Sequence, residues 1–585
     1  MSSLTNLPPT YVLAAAVVVL GYFLYRAALP KPIPGIPHHK KSAQSIWGDV
    51  PSLLKHQKNH PQVFDWMTAQ ALELNSPIFQ LFINPFGRPK VFIVDHREST
   101  DILLRRSKDF DRSNFFGDIF VGTIPEHHIV GPTNERFKAQ RKLLSDTMSP
   151  SFLNNVAAKH LYAHTLHLME LWRVKSKVAQ GHPFAVDEDL NHMALDAIWA
   201  VSFGTDINTV KDEADFLQKT HISTSTNIDE VVDLPCPERP AAFNALMALS
   251  DAMETSVKSP FPRQAHWFLR QFPGLKRAKA AKDALIQARL DDAKLRLLHP
   301  DSRDEDIDCA TDHMVFREQQ AADREGRAPQ FDTPAAKDEL FGFLIGGHDT
   351  TASTSMWGIK NITDHPEVQS KLRAALHEAY PEAVKTHTLP TAAQISSTDV
   401  PYLDAVLEEM VRKALTAPGA MRRAVRDTEV LGHRIPAGID VFMMNNGPGY
   451  LQEDPFAAKI PEKMRAKTSR DAKDRAVPDW PVGDIGAFKP ERWLRMDEGG
   501  KEVFDGKAGP TLGFGGGIRG CFGKKLAYME MKIVFTLMVW SFELPQLPME
   551  LSGYGAWDKL THKPMQCYAR PRYLLDGRKD SAADA

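Results

Sequence analysis

Cysteine is scarce in this chain: four residues among 585, at Cys236, Cys309, Cys521 and Cys567, none spaced as CxxC. That pattern argues against a disulfide framework and against a structural zinc site, and favours reducing cytosol for the bulk of the chain. Net charge is nearly absent too, at −2. No basic surplus marks the chain for nucleic acid. Internal repeats and low-complexity tracts are lacking. No Gly-rich phosphate loop or flavin domain is evident, so electrons for any redox chemistry must come from another protein.

Charge is missing altogether from residues 1–25, and no acid precedes Asp49. The run YVLAAAVVVLGYFLY from Tyr11 is almost wholly apolar. Residues 10–29 have the length a helix needs to cross hydrocarbon, roughly 20 residues. Arg26 stands near one end, where its head can snorkel. Arg26, Lys31, Lys40 and Lys41 lie beyond the run, so the positive-inside rule puts its carboxyl side in the cytosol. The organisation expected is a lumenal tail at 1–9, a transmembrane anchor at 10–29, a stiff proline-rich linker at 30–40 and a catalytic body at 41–585. A cleaved signal peptide is the alternative. It would want a basic residue before the apolar run, and none is present.

Hydrophobic side chains make up 43% of the chain, enough for a large core. Length alone allows several domains or one large helical one. Helical spacing covers 135–148, 187–201 and 278–298. The longest helix opens at Thr333 and Pro334 and runs to 365, before Pro366. Short β-prone stretches lie at 90–94, 429–435, 441–444 and 565–569. The fold expected is mainly α with small β-sheets. Residues 453–486, rich in Lys and Arg, read as a solvated surface loop.

The most informative segment is Phe514-Gly-Gly-Gly-Ile-Arg-Gly-Cys-Phe-Gly523. Glycines permit turns that other residues resist and let a flat ligand approach closely. An apolar-periodic helix follows, so Cys521 sits just before a helix amino terminus, where the dipole and free N–H groups favour thiolate. Arg519 adds positive charge. Turn and helix alone would equally fit a buried structural cysteine. The spacing Phe-x-x-Gly-x-Arg-x-Cys-x-Gly, matched in full, resembles the haem-binding loop of the cytochrome P-450 family. The resemblance implies a helical haem-thiolate fold with haem b as cofactor and Cys521 as the iron ligand. It implies Phe514 over the sulfur, Gly515 in the haem loop and Arg519 on a propionate.

Three further segments support it. Glu409 and Arg412 share a helix face three residues apart, with Leu403, Val406, Leu407, Met410 and Val411 as a buried stripe. With Arg492 of Phe488-Lys-Pro-Glu-Arg492-Trp, they resemble the family's structural charge network. Gly346-Gly-His-Asp-Thr-Thr351 breaks a long helix with two glycines, each costing about 1 kcal/mol against alanine. It looks like the family's oxygen-activating motif, with Asp349 and Thr350 as acid and alcohol. The bland alternative is a helix-crossing glycine with threonines bonded to their own backbone. His348 reads as a helix-face residue rather than a second ligand. Phe137-Lys-Ala-Gln-Arg141 departs from the usual Trp-x-x-x-Arg, since Phe137 has no N–H to donate. Arg141 can still reach a propionate. Arg422 fits another propionate segment, with Arg423 the alternative if the register slips.

The resemblance runs from about Pro34 to the carboxyl end, and is strongest to microsomal and filamentous-fungal members. It implies a single-pass protein of the endoplasmic reticulum membrane with a cytosolic catalytic domain. Its partners would be O₂, an NADPH-dependent flavoprotein reductase and a lipophilic small molecule, hydroxylated or epoxidised in secondary metabolism. An isomerase or dehydratase of the same fold, and a non-catalytic haem protein, are the rivals. Asp349 and Thr350 argue against both. Pocket walls are expected from 110–129, 343–351, 414–421 and 554–561, stretches rich in Phe, Ile, Leu and Ala.

Overall fold

The computed structural model describes residues 9–299 and 303–575. Helices dominate, and most bury part of their surface against the core. The longest, Pro334–Asp364, starts where its sequence says it should. The Thr333 side chain accepts from the Ala336 N–H, and Pro334 takes the first turn. Nearly every residue from Ala336 onward is buried, because the helices Asp187–Phe203 and Pro401–Ala414 pack along it. Gly204 ends Asp187–Phe203 at φ +65, where a side chain would be strained. The helix expected at 278–298 spans Pro273–Leu297. The one expected at 135–148 is broken into Glu135–Lys142 and a tight turn, Ser145–Met148.

A five-stranded sheet flanks the helices. Its order is Ile78–Leu81, Lys90–Ile93, Asp440–Met444, Gly419–Ala424, Phe110–Arg112, antiparallel except between the second and third strands. The single strand expected at 429–435 is instead a hairpin, Thr428–Val430 with His433–Ile435. Leu431 and Gly432 both have positive φ, the geometry of a tight two-residue turn. The strand expected at 565–569 reduces to Tyr568–Ala569. The chain pairs earlier, His562–Pro564 with Ala556–Asp558, and then changes partner to Phe184–Ala185.

The helix Pro9–Ala28 is the one helix among the described residues long and apolar enough to cross a membrane; its apolar window is wholly unburied, and near its end the Tyr25 hydroxyl donates to the Gln44 carbonyl at 3.1 Å. The tail at 1–9 lies outside the described residues except for Pro9. The proline-rich segment is not a free spacer. The Gln80 side chain accepts from Ile33 N–H at 2.8 Å and donates to the carbonyls of Ile33 and Ile36, and both isoleucines are buried.

The reading of 453–486 as a solvated surface loop holds for most of its residues, which are exposed, but a few buried residues pin it to the body. Short turns there wrap the helix His96–Arg105. Phe456, Ala472 and Trp480 are buried. Arg465 is 6% exposed and grips Asp95 through two bonds of 2.7 and 2.8 Å. Thr468 donates to Asp101, and Arg97 pairs with Glu462. Arg465, which looks unpaired in sequence, thus has its acid 370 residues earlier in the chain.

Candidate functional site

The cysteine loop lies on the helix His96–Arg105. Gly515 and Gly517 have φ of +61 and +66, and a Cβ on Gly517 would fall 2.1 Å from the Leu103 carbonyl oxygen. Only glycine fits there. The Cys521 N–H donates to the Phe514 carbonyl at 2.9 Å and closes the loop. The Phe514 ring packs on Tyr528, 5.1 Å between centroids. The helix Lys524–Ser541 begins at once. Cys521 reaches the surface, whereas Cys309 and Cys567 are buried. Protein surrounds its thiol on most sides, and that desolvation pushes its pKa up. The Gly523 N–H, Arg141 and Lys524 oppose the shift without cancelling it. The helix start and the nearby cations act in the expected direction, and burial acts against them. A coordinated metal deprotonates a bound thiol outright.

Beside this loop four guanidiniums gather. Arg112 and Arg422 are partners in the antiparallel register of their strands. Arg519 and Arg141 add their charge to the group. Burial pushes Arg422 and Arg519 each down to about 10, and pushes Arg112 well below its ordinary value. Asp111, which faces Arg519 and Arg422, is the carboxylate among them. Arg519 donates to Thr133 and to the carbonyls of His128 and Gly131. Arg141 donates to the carbonyls of Ile518 and Gly520. Arg112 Nε has no partner among the described residues. Buried like charges repel unless an anion joins them. One thiol beside this cluster is a donor set that fits a haem, with its iron and two carboxylates.

Arg422 is thus in the site, and the alternative Arg423 is not. Adjacent strand residues face opposite ways, and Arg423 is paired with Asp440 at 2.9 and 3.0 Å. Phe137 has its own role: the Arg519 guanidinium lies over its ring at 3.8 Å. Arg112 escaped sequence reasoning. Its signal is the strand register, which a single sequence does not print.

In the long helix, Gly346 and Thr350 are exposed within an otherwise buried run. A Cβ on Gly347 would strike Ile198 at 2.6 Å, so that glycine allows the helix crossing. The acid and the alcohol do not bond to each other. The Thr350 hydroxyl donates to the Gly346 carbonyl at 2.7 Å. The Asp349 carboxylate accepts from Thr561 at 2.8 Å and lies 2.5 Å from Lys563 Nζ. Burial raises the Asp349 pKa, but Lys563, His348 and these bonds hold it below the usual carboxylate range. His348 is buried, and desolvation pushes it down to about 4. In the stretch 554–561, Thr561 lies against Asp349. Tyr554 stacks on Trp357 and donates to Asp364, toward the far end of the helix.

Glu409 is fully buried and accepts from Arg412 at 2.7 and 2.8 Å, Lys489 N–H at 2.9 Å, Trp493 at 2.9 Å and Arg492 at 3.1 Å. Trp480, from the wrapped segment, covers both arginines at 5.5 and 5.0 Å. A second cluster was not anticipated. His128 N–H and Nδ1 meet the two Glu339 oxygens at 2.6 and 2.7 Å, with His127 Nε2 at 3.4 Å. It ties residues 126–128 to the long helix.

The profile of the cytochrome P450 family matches residues 43–453 and 486–551. This chain is a cytochrome P450. It is 37% identical over 563 residues to the cytochrome P450 monooxygenase GME11363 of Pestalotiopsis microspora, covering 96% of this chain and 97% of that protein. It is 35% identical over 570 residues to the cytochrome P450 monooxygenase TRI13 of Fusarium sporotrichioides, at 94% and 96% coverage. A Penicillium rubens P450 monooxygenase, xilC, is 37% identical over 546 residues, at 92% and 91%. The P450 family binds haem iron through a cysteine, so the protein is a haem-thiolate monooxygenase that uses O₂, a substrate and a redox partner. The break in the P450 match falls on 454–485, the segment wrapped on His96–Arg105.

Proposed function

We propose that Cys521 would hold the iron of haem b and that the enzyme inserts one atom of O₂ into a lipophilic small molecule of secondary metabolism, by hydroxylation or epoxidation. The observation behind this is the cluster of four guanidiniums beside a single accessible thiol. Arg112, Arg422 and Arg519 hold the haem carboxylates. Phe137 supports Arg519 from below, and Arg141 pins the cysteine loop through its carbonyls. Phe514 and Gly515 shape that loop. When bound, the haem supplies an iron whose cysteinate ligand favours O–O cleavage. Asp349 takes protons from solvent and Thr350 presents them at the exposed face of the long helix. Glu409, Arg412 and Arg492 are structural.

Residues 10–29 anchor the protein in the endoplasmic reticulum membrane, 30–40 link it to the body, and 41–585 form a catalytic domain on the cytosolic side. Electrons come from an NADPH-dependent flavoprotein reductase. Cys521→Ser abolishes the red-shifted Soret band of the reduced carbonyl complex, while serine at Cys236, Cys309 or Cys567 leaves it. A normal band in the Cys521 variant overturns the assignment.

A further inference from the structure

Behind the long helix lies a cavity that the thiol site does not use. It sits among four helices, Asp187–Phe203, Ala241–Val257, Pro273–Leu297 and Pro334–Asp364. Its volume is about 170 Å³. Trp199, Leu246, Leu249, Leu285, Phe341 and Leu344 form most of its wall, and all of these but Leu285 are buried. Ala241 and Ala281, both exposed, stand at its rim. The cavity is separate from the thiol face. Gly346 and Thr350 are the exposed residues of the long helix on that face. With 3.6 residues per turn, Phe341 and Leu344 point roughly 120–180° away from both. They face Asp187–Phe203, the helix that supplies Trp199 and whose Ile198 lies against Gly347.

The chemistry of the wall decides what fits. Lys282 is its one charged side chain. The ammonium donates to the Thr123 carbonyl at 3.2 Å and to Asp338 at 3.3 Å, and it lies 3.2 Å from Asp283. Three acceptors engage its three N–H bonds, so it has none left for an anion. Apart from the Trp199 indole, every other wall side chain is hydrocarbon. A charged or strongly polar molecule would lose its water there and gain no partner. Protein interiors leave few voids larger than a water molecule, because the lining of an empty one forfeits its contacts. An apolar cavity of about 150 Å³ stays dry and takes up benzene or xenon.

We propose that this cavity is a second ligand site, distinct from the haem pocket, which takes a neutral hydrocarbon group the size of a single ring or a short branched chain. The ligand enters past Ala241 and Ala281 and rests on Trp199, Phe341 and Leu344. Lys282 closes one side and contributes its stem, not its charge.

The test uses the full-length holoenzyme in lipid nanodiscs, with imidazole saturating the iron and protein-free discs as background. Fluorobenzene is the probe, followed by its fluorine resonance. The parent should show a bound population above background. Ala245, another wall residue, is replaced by a larger one to fill the space. Ala245→Phe should weaken fluorobenzene binding by about tenfold or more, since the burial of a ring's carbons is lost. The red-shifted Soret band of its reduced carbonyl complex should stay normal. Leu249→Ala enlarges the cavity instead, and it should tighten binding of the two-ring probe fluoronaphthalene by about tenfold. Equal affinity for fluorobenzene in the parent and in haem-loaded Ala245→Phe places the probe in the haem pocket or the lipid and overturns the proposal. A parent signal no higher than the background overturns it too. If Ala245→Phe does not load haem, Leu249→Ala decides: tighter fluoronaphthalene binding upholds the site, and unchanged binding removes it.

Discussion

Arg112 and Arg422 are cross-strand partners, two guanidiniums directly opposed on one face of the sheet. Like charges at such a position destabilise a sheet. The pair persists because the fold is arranged for an anion. Arg112→Gln should relieve the repulsion yet weaken haem retention. A hydrogen bond to a charged group contributes about 1.5–3 kcal/mol, so transfer of haem to a scavenger protein should quicken roughly 10- to 100-fold. An unchanged transfer rate removes Arg112 from the site.

Glu409→Gln keeps the shape of the side chain and removes its charge. Arg412 is then left buried without its anion beneath Trp480, and Arg492 keeps only Asp484 at 3.4 Å. Breaking such a pair costs about 3–5 kcal/mol. The thermal midpoint should fall by several degrees, and recovery of haem-loaded protein should drop. A midpoint equal to the parent's would show that the network does not stabilise the fold.

His127 and His128 are each held neutral, at about 3, chiefly by burial, with Arg112 facing both and Arg141 and Arg519 facing His128. An unfolded histidine titrates near 6.5. Their folded values are depressed, so the stability they contribute is present above pH 6.5 and is lost as pH falls toward 3. Glu339, raised to about 7 by burial, has the opposite sign: its contribution is lost as pH rises from about 4.5 toward 7. Two imidazoles outweigh one carboxyl, so the net slope between pH 6.5 and 5 is a loss with acid. His128→Asn should flatten the fall in thermal midpoint across that interval. Parallel curves for parent and variant would mean the imidazole is already protonated in the fold.

Arg465→Ala should destabilise by about 3 kcal/mol, because it leaves Asp95 buried and half-paired. Asp95 still caps its helix through the Glu98 N–H. Limited proteolysis should then cut within 459–475 faster than in the parent. A protected segment in the variant would show that other contacts suffice to hold it.

The electron partner is tested at Lys142 and Lys524. Both are exposed, whereas Arg136 pairs with Glu126, Lys138 pairs with Glu135, and Lys525 donates to the Met148 carbonyl. Reversing Lys142 and Lys524 to Glu should slow first reduction of the iron by an acidic reductase domain and flatten its salt dependence. The same rate at low salt would place docking elsewhere.

What could be read from the chain followed the range of the interaction behind it. The cysteine loop was legible because glycine conformation and helix start are local. The cap at Thr333 was legible for the same reason. Arg422 could not be told from Arg423, since only the register against Asp440 separates the two faces. Arg112 gave no signal for the same reason. Asp349 and Thr350 were found as types, but not the hairpin residues that hold Asp349, more than 200 residues on. The basic segment at 453–486 was legible as surface, but its buried anchor was not, because Asp95, the partner of Arg465, lies 370 residues away.

The Asp95–Arg465 pair spans 370 positions of sequence. A ribosome adds roughly 5–20 residues each second, so Asp95 waits on the order of 20–70 s before its partner exists. Through that interval the first half of the sheet and the helix His96–Arg105 stand with their later cover still unmade. For a nascent chain of this kind, the time most in need of a chaperone is set by one arginine's place in the message.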